Sequence, residues 1–438
     1  MTQVTSGKRR STLLVAVLCW SIVVFDGYDL IVYGTTIPKL LAEPGWQLTA
    51  GQAGTIGSLA FAGMLVGALG AGVLADRLGR RRMILACTAW FSVFTTLCAF
   101  AGGPTSFGIL RFVAGIGLGG LVPTANALTA EFVGKGRRAL IATAMMSGVP
   151  IGGSIAALLG LWAMPTIEWR GMYAVSALAL VVLLPAAVAL LPESPAWLRV
   201  HGRPEQAHRI EQEFGLTGEA DPVGTGPVAP LSAVLRPPYL VASVLFACAT
   251  IATLFAWYGL GTWLPKLMGP DGRFDLGDPL TFLLALNLGA VAGSALTAWA
   301  GDRFGALRSA AVAALAAAIG LAFLLTYPGS AAPVYAALVI AGIGTHGTQC
   351  LIIAAITNHY PALARGTALG FALGAGRVGA IVAPQAGGWL IDGGYGVGGN
   401  IAMFAAASAI AAVLLAVTTR AVRSAVTPRK PLDSVVAH

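Results

Sequence analysis

The sequence predicts an all-α polytopic membrane protein of twelve transmembrane helices, arranged as two pseudo-symmetric six-helix bundles. Three observations predict it. Of the 438 residues, 57% are hydrophobic and 10% are charged, against about 25% charged in a soluble chain, so this chain cannot clothe a water-facing surface. Apolar runs of the roughly 20 residues needed to cross a bilayer recur twelve times along it. A charged stretch recurs as well: LADRLGRRR (74–82) returns as AGDRFGALR (300–308).

The first run, 13–37, is interrupted by two carboxylates, Asp26 and Asp29, within WSIVVFDGYDLIVY (20–33). Residues three or four apart share a helix face, so both acids and Tyr33 are expected on one side. A carboxylate at mid-bilayer costs about 2.5–3.5 kcal/mol on insertion scales, so two in one turn mark a cavity-facing proton or substrate site. The second run, 51–75, leads into Asp76, Arg77 and Arg80. Runs at 83–102, 106–131, 138–164 and 170–191 complete the first half, the fourth carrying Arg111 and ending on Glu131. The stretch 192–238 is rich in proline and contains the mixed-charge piece RPEQAHRIEQEF, which reads as a linker with one short surface helix.

Spans resume at 239–267, 279–300, 308–328, 331–357, 366–390 and 398–420. The halves are therefore expected at 1–191 and 239–420, with a linker at 192–238 and a tail at 421–438. The seventh span carries FAWYGLGTWLP (255–265), the eighth Asn287, the tenth His346 and Gln349, and the eleventh Phe371 and Arg377. In the repeat, Asp302 and Arg303 follow the eighth span as Asp76 and Arg77 follow the second. That is the signature of two parallel halves.

Orientation follows from the basic residues. Lys8, Arg9 and Arg10, then Arg77 to Arg82, Lys135, Arg137, Arg138, the linker arginines, Arg303, Arg308, Arg365, Arg420, Arg423, Arg429 and Lys430 all fall on one set of alternate connections. The other set holds only Lys39, Arg170, Lys266 and Arg273. Both termini and the linker are thus expected in the cytoplasm, and the protein in the inner membrane. The same pattern accounts for the net charge of +9 without a nucleic-acid partner. All five cysteines lie inside apolar runs without metal-like spacing, so neither a disulfide framework nor a metal is implied. The N-terminal run is too long for a secretory signal and has no small-x-small cleavage site, so it is expected to be a retained first helix.

At these motifs the chain resembles the major facilitator superfamily over nearly its whole length. GVLADRLGRRR (72–82) matches that family's loop signature between helices 2 and 3, RFVAGIGLGG (111–120) its fourth-helix motif, and LPESPAWL (191–198) a recurrent close of the first half. FDGYDL (25–30) is similar to the aspartate-glycine-x-aspartate signature of the aromatic acid:proton symporters. So is HYPALARGTALGFALGAGRVGAIVAP (359–384), preceded by the histidine of GTHGTQ (344–349). SGVPIGG (147–153) departs from the helix 5 signature of exporters, which argues against the alternative of an exporter or exchanger of organic anions or drugs. A membrane enzyme or receptor would need a metal cluster, a nucleophile constellation or a large soluble domain, and the sequence offers none.

The resemblance implies a central cavity between helices 1, 4, 7 and 10, and a proton-coupled importer of small aromatic carboxylates that alternates access, acting as a monomer without a cofactor. Asp26, Asp29 and His346 are the expected proton-coupling groups. Arginine binds a carboxylate through a planar two-point fork, which nominates Arg377 and Arg111 for the substrate, Arg111 also for the charge network of helices 1 and 4. An aromatic ring needs a π-rich wall: Tyr33, Trp257, Tyr258 and Phe371 are candidates, with Asn287 and Gln349 for ring substituents. Asp76, Arg77, Arg80, Glu131, Asp302, Arg303 and Arg365 are expected at the gates, with Glu131 near Arg137 and Arg138.

Overall fold

The computed structural model describes residues 11–133, 138–216, 230–269 and 276–426. The predicted basic residues Lys8, Arg9, Arg10, Lys135, Arg137, Arg273, Arg429 and Lys430 lie outside them, as do 217–229 of the linker and the end of the tail.

All regular structure among the described residues is helical. The first half contains α1 (Thr12–Leu41), α2 (Ala50–Leu78), α3 (Arg80–Cys98), α4 (Pro104–Phe132), α5 (Arg138–Trp162), α6 (Met164–Ala174) and α7 (Leu184–Leu190). Among the described residues ten helices are long and apolar enough to cross a membrane, eleven with one bent pair counted as a single span. The twelfth, α3, is the least apolar because it opens on Arg80, Arg81 and Arg82.

The bent pair is the sixth span, predicted as one run over 170–191. Its two pieces, α6 and the stretch through α7, meet at 49°, with a π-helical turn at Ala179–Leu183. Pro185 in the first turn of α7 has no N–H to give the preceding turn, and a π-turn relieves that register.

Among the described residues three short helices follow instead of the single one expected: α8 (Pro195–Val200), α9 (Pro204–Phe214) and α10 (Leu231–Val234). Ala207, Glu211 and Phe214 form the buried stripe of α9, and Phe214 packs edge-on against Phe132 of α4 at 5.1 Å. The second half is α11 (Leu240–Leu267), α12 (Pro279–Phe304), α13 (Ala306–Leu324), α14 (Ala331–His359), α15 (Ala362–Asp392) and α16 (Gly396–Val426). The last helix runs beyond the predicted end of its span at 420.

The internal repeat is visible in the backbone. A single glycine reverses the chain between α2 and α3 (Gly79, φ 95°) and between α12 and α13 (Gly305, φ 91°). Only glycine enters that region without strain. Helix pairing repeats too. Gly63 and Gly67 of α2 face the backbone of Phe112 and Ile116 on α4, as Gly289 and Gly293 of α12 face Val339 and Ile343 on α14. A Cβ at any of the four would run into the neighbour, so these helices meet at backbone distance, the close approach favoured in lipid.

The two halves touch along α2 and α15, α5 and α12, and α1 and α11. These contacts lie toward the end of the molecule opposite the linker. There Asp392 accepts hydrogen bonds from the backbone N–H groups of Ala50 (3.0 Å) and Gly51 (2.8 Å), at the first turn of α2. Thr55 donates to Gln385 (2.6 Å), and Gly34 of α1 lies against Gly261 of α11. Toward the linker end, Gly366, Gly370 and Gly374 of α15 face open space. The halves are joined at the far face and apart at the linker face.

Candidate functional site

Mid-way along α1 the two acids part company. Asp29 is fully buried, and Arg111 Nη1 reaches both of its carboxylate oxygens at 3.0 Å. Arg111 Nη2 donates to the Asp29 carbonyl (3.2 Å), and Thr95 Oγ1 donates to the carboxylate (2.6 Å). The guanidinium also lies over the rings of Tyr33 (5.7 Å) and Tyr173 (5.9 Å). Tyr33 donates its hydroxyl to the carbonyl of Ala53 at 2.6 Å and packs beside Phe107. These residues form a closed polar knot inside the first half. Arg111, a substrate-binding candidate in the sequence, is buried in it with both Nη atoms bonded to Asp29.

Asp26 is equally buried, at 1% exposure, and neither of its oxygens has a hydrogen-bond partner. Its charged neighbours are Arg377, from α15 in the other half, and Asp29. Arg377 is half-buried. It donates to the Tyr258 hydroxyl and extends Nη1 to 3.9 Å from the Met64 sulfur of α2. Tyr258 in turn packs against Phe61 of α2, ring centres 4.5 Å apart. An arginine, a carboxylate and two aromatic rings therefore meet where α1, α2, α11 and α15 converge.

Trp257, immediately before Tyr258 on α11, has its indole 5.2 Å from the His346 ring on α14. His346 interacts with the Met146 backbone of α5, while its Nε2 is buried and unpartnered. Both carboxamide atoms of Gln349 are likewise enclosed without a partner. Asn287 is placed differently. It donates to its own helix at Leu283 (2.9 Å), and its oxygen faces Gly153 in the contact of α5 with α12. Phe371 is half-buried on the stretch of α15 that faces open space toward the linker end.

Of the gate candidates, Glu131, Arg80 and Asp76 make contacts within the first half and with the linker. Glu131 pairs with Arg80 and accepts from Ser194 Oγ at 2.6 Å. The partners expected for it are not described: Arg137 lies outside the described residues, and so does the side chain of Arg138. The Asp76 carboxylate is a charged neighbour of Arg80, and its carbonyl accepts from Trp197 Nε1 at 2.7 Å. Arg77, Asp302, Arg303 and Arg365 are exposed at the linker end, Arg303 lying over the Phe304 ring at 5.8 Å.

Residues the sequence did not nominate complete the picture. Thr95, Tyr173, Phe61 and Met64 carry no signal of their own, since a threonine or an aromatic in a span is ordinary. Glu193 was legible in LPESPAWL. It accepts from the Arg81 backbone N–H (3.0 Å) and sits over Gly79 at the start of α3. Among the described residues, no group of three or more His, Cys, Asp or Glu is placed to hold a metal.

A model described as Major Facilitator Superfamily matches residues 19–293 and 280–437. The chain is 49% identical to the gentisate transporter of Corynebacterium glutamicum, over 95% of this chain and 88% of that protein. It is 35% identical to the benzoate transport protein of Acinetobacter baylyi, over 86% and 83% of the two chains. Among solved structures, a partially occluded inward-open conformation of the xylose transporter XylE from E. coli superposes with a TM-score of 0.74 at 17% identity. That match covers 96% of this chain and 100% of the other, and at this identity it shows the fold.

Proposed function

The chain belongs to the major facilitator superfamily, and from that premise we propose that it is a proton-coupled importer of small aromatic carboxylates such as benzoate or hydroxybenzoates. The observation that carries the reading is the meeting of Asp26, buried without a hydrogen-bond partner, with Arg377 beside the rings of Tyr258 and Phe61. The names of the gentisate and benzoate relatives point to the same chemistry.

The charges suggest how coupling works. Without substrate, ionised Asp26 is the counter-charge of Arg377. A substrate carboxylate that takes the Arg377 fork brings a second negative charge to one cation. A buried carboxylate with neither a cation nor a hydrogen bond is costly, so Asp26 takes up a proton as substrate arrives. One proton then accompanies one monovalent acid, and the loaded centre carries the same net charge as the empty one. Asp29 is held as a structural anion by Arg111 throughout. Such a cycle is electroneutral, driven by the pH gradient and indifferent to membrane potential.

We take the linker face as cytoplasmic, where the basic residues cluster. On that reading the separation at the linker face makes this the inward-facing state of a monomer in the inner membrane. Its moving bodies are 1–191 and 239–420, with 192–238 as hinge and 421–438 as tail. Asp76 and Asp302, with Arg77, Arg303 and Arg365, then act as the gate that forms when the linker face closes. Proteoliposome uptake under an imposed pH gradient tests the function. Accumulation of a labelled aromatic acid inside vesicles that are alkaline within is expected. Efflux only, or no flux, would contradict it.

A further inference from the structure

The coupling scheme leaves a group of buried polar atoms unused. His346 Nε2 and both carboxamide atoms of Gln349 are enclosed by protein without a hydrogen-bond partner, and His346 is 7% exposed. The two residues stand three apart on α14 and share a face. Their face adjoins the aromatic wall, for His346 lies against Trp257, the neighbour of the tyrosine that Arg377 binds. Buried polar groups are nearly always paired, and lipid supplies no partner to those in a membrane span. Asn287 Oδ1 is also unpartnered, but it faces Gly153 at the contact between α5 and α12.

Building on the transport reading above, we propose that His346 and Gln349 read a hydroxyl on the substrate ring and so set the preference among these acids. A hydroxyl donates one hydrogen bond and accepts others. An imidazole nitrogen and a carboxamide three residues apart answer both functions, whichever tautomer His346 adopts. In this arrangement Arg377, bonded to Tyr258, holds the carboxylate, and α14, whose His346 lies against Trp257, meets the substituent. His346 has no carboxylate among its hydrogen-bond partners in the described residues, which suits a selector better than a proton relay. A site built to bond a hydroxyl rejects the analogue lacking it, because its own polar groups are then left unpaired.

Equilibrium binding to the purified full chain decides this, with benzoate, the three monohydroxybenzoates and their methyl ethers as probes. At least one hydroxybenzoate should bind about tenfold or more tightly than benzoate. Its methyl ether, which lacks the donor proton, should lose that gain. His346→Phe and Gln349→Leu keep side-chain volume and should each pull the ratio of benzoate to hydroxybenzoate Kd toward one. Benzoate binding as tightly as every hydroxylated acid overturns the proposal and leaves the transport reading in place. So does a ratio unchanged in both variants. Failure of the folded parent protein to bind any of these acids overturns both.

Discussion

One turn of α1 separates an aspartate whose hydrogen bonds are all made from one that has none, and the difference yields opposite expectations for the same substitution. Removing one partner of a buried ion pair leaves an uncompensated charge, at a cost of about 3–5 kcal/mol. Arg111→Ala should therefore lower the melting temperature sharply. The double change Arg111→Met with Asp29→Leu should recover much of the loss, because no orphan charge remains. Asp26→Asn breaks no hydrogen bond, and the cation it leaves behind, Arg377, is only half-buried. It should leave melting near the parent value and preserve exchange of substrate across the membrane, while abolishing accumulation driven by a pH gradient. Counterflow and gradient-driven uptake in the same vesicles separate those two activities. Arg377→Lys keeps the charge but loses the fork, so substrate binding should weaken yet survive, and Arg377→Ala should cost more. Both acids were conspicuous in the sequence as charges inside an apolar run. Their division of roles was not, because it depends on Thr95 and Arg111 from two other helices, residues that no spacing ties to α1.

At the scale of the element, the far-face closure rests on few bonds. The Asp392 carboxylate sits on the first turn of α2, where two backbone N–H groups and the positive end of the helix favour an anion. Asp392→Asn keeps one acceptor and loses the charge. It should shift the molecule toward opening at the far face and change the rate of cycling more than substrate affinity. Distances between spin labels placed on α2 and α15 at that face would report the shift. An unchanged distance distribution would remove Asp392 from the closure.

Nearby, Glu43 accepts hydrogen bonds from Trp169 (2.7 Å) and Arg170 (2.6 Å) and ties the α1–α2 turn to α6. Burial alone would raise its pKa, yet the hydrogen bonds from Arg170 and Trp169 and the charge of Arg170 outweigh it and hold the carboxyl below its usual range. A carboxylate lowered on folding lends stability above its unfolded value and loses it as pH falls through the folded one. The tether should thus weaken only in acid. Arg170 is 39% exposed, so the step is about 0.5 kcal/mol, and Glu43→Gln should abolish it in melts taken from neutral to acid pH.

For the whole molecule, the twelve spans and the doubling of the chain were legible because both rest on local signals: apolar length, and a charged stretch repeated with its glycine. The exceptions are equally physical. Arginines at its start make α3 short of apolar residues, and Pro185 and a π-turn bend the sixth span out of the straight run that hydropathy describes. The site was half legible. Charged residues inside spans stand out, whereas Phe61 and Met64 become notable only once α2 is laid against α15. In the proposed cycle Asp26 takes up a proton when the substrate carboxylate takes hold of Arg377. The measurement that tests it most directly is simultaneous recording of proton and aromatic-acid entry into proteoliposomes clamped at zero potential. The parent protein should carry in one proton per carboxylate, and Asp26→Asn should exchange acid with no proton movement. Proton entry that persists in Asp26→Asn would contradict it.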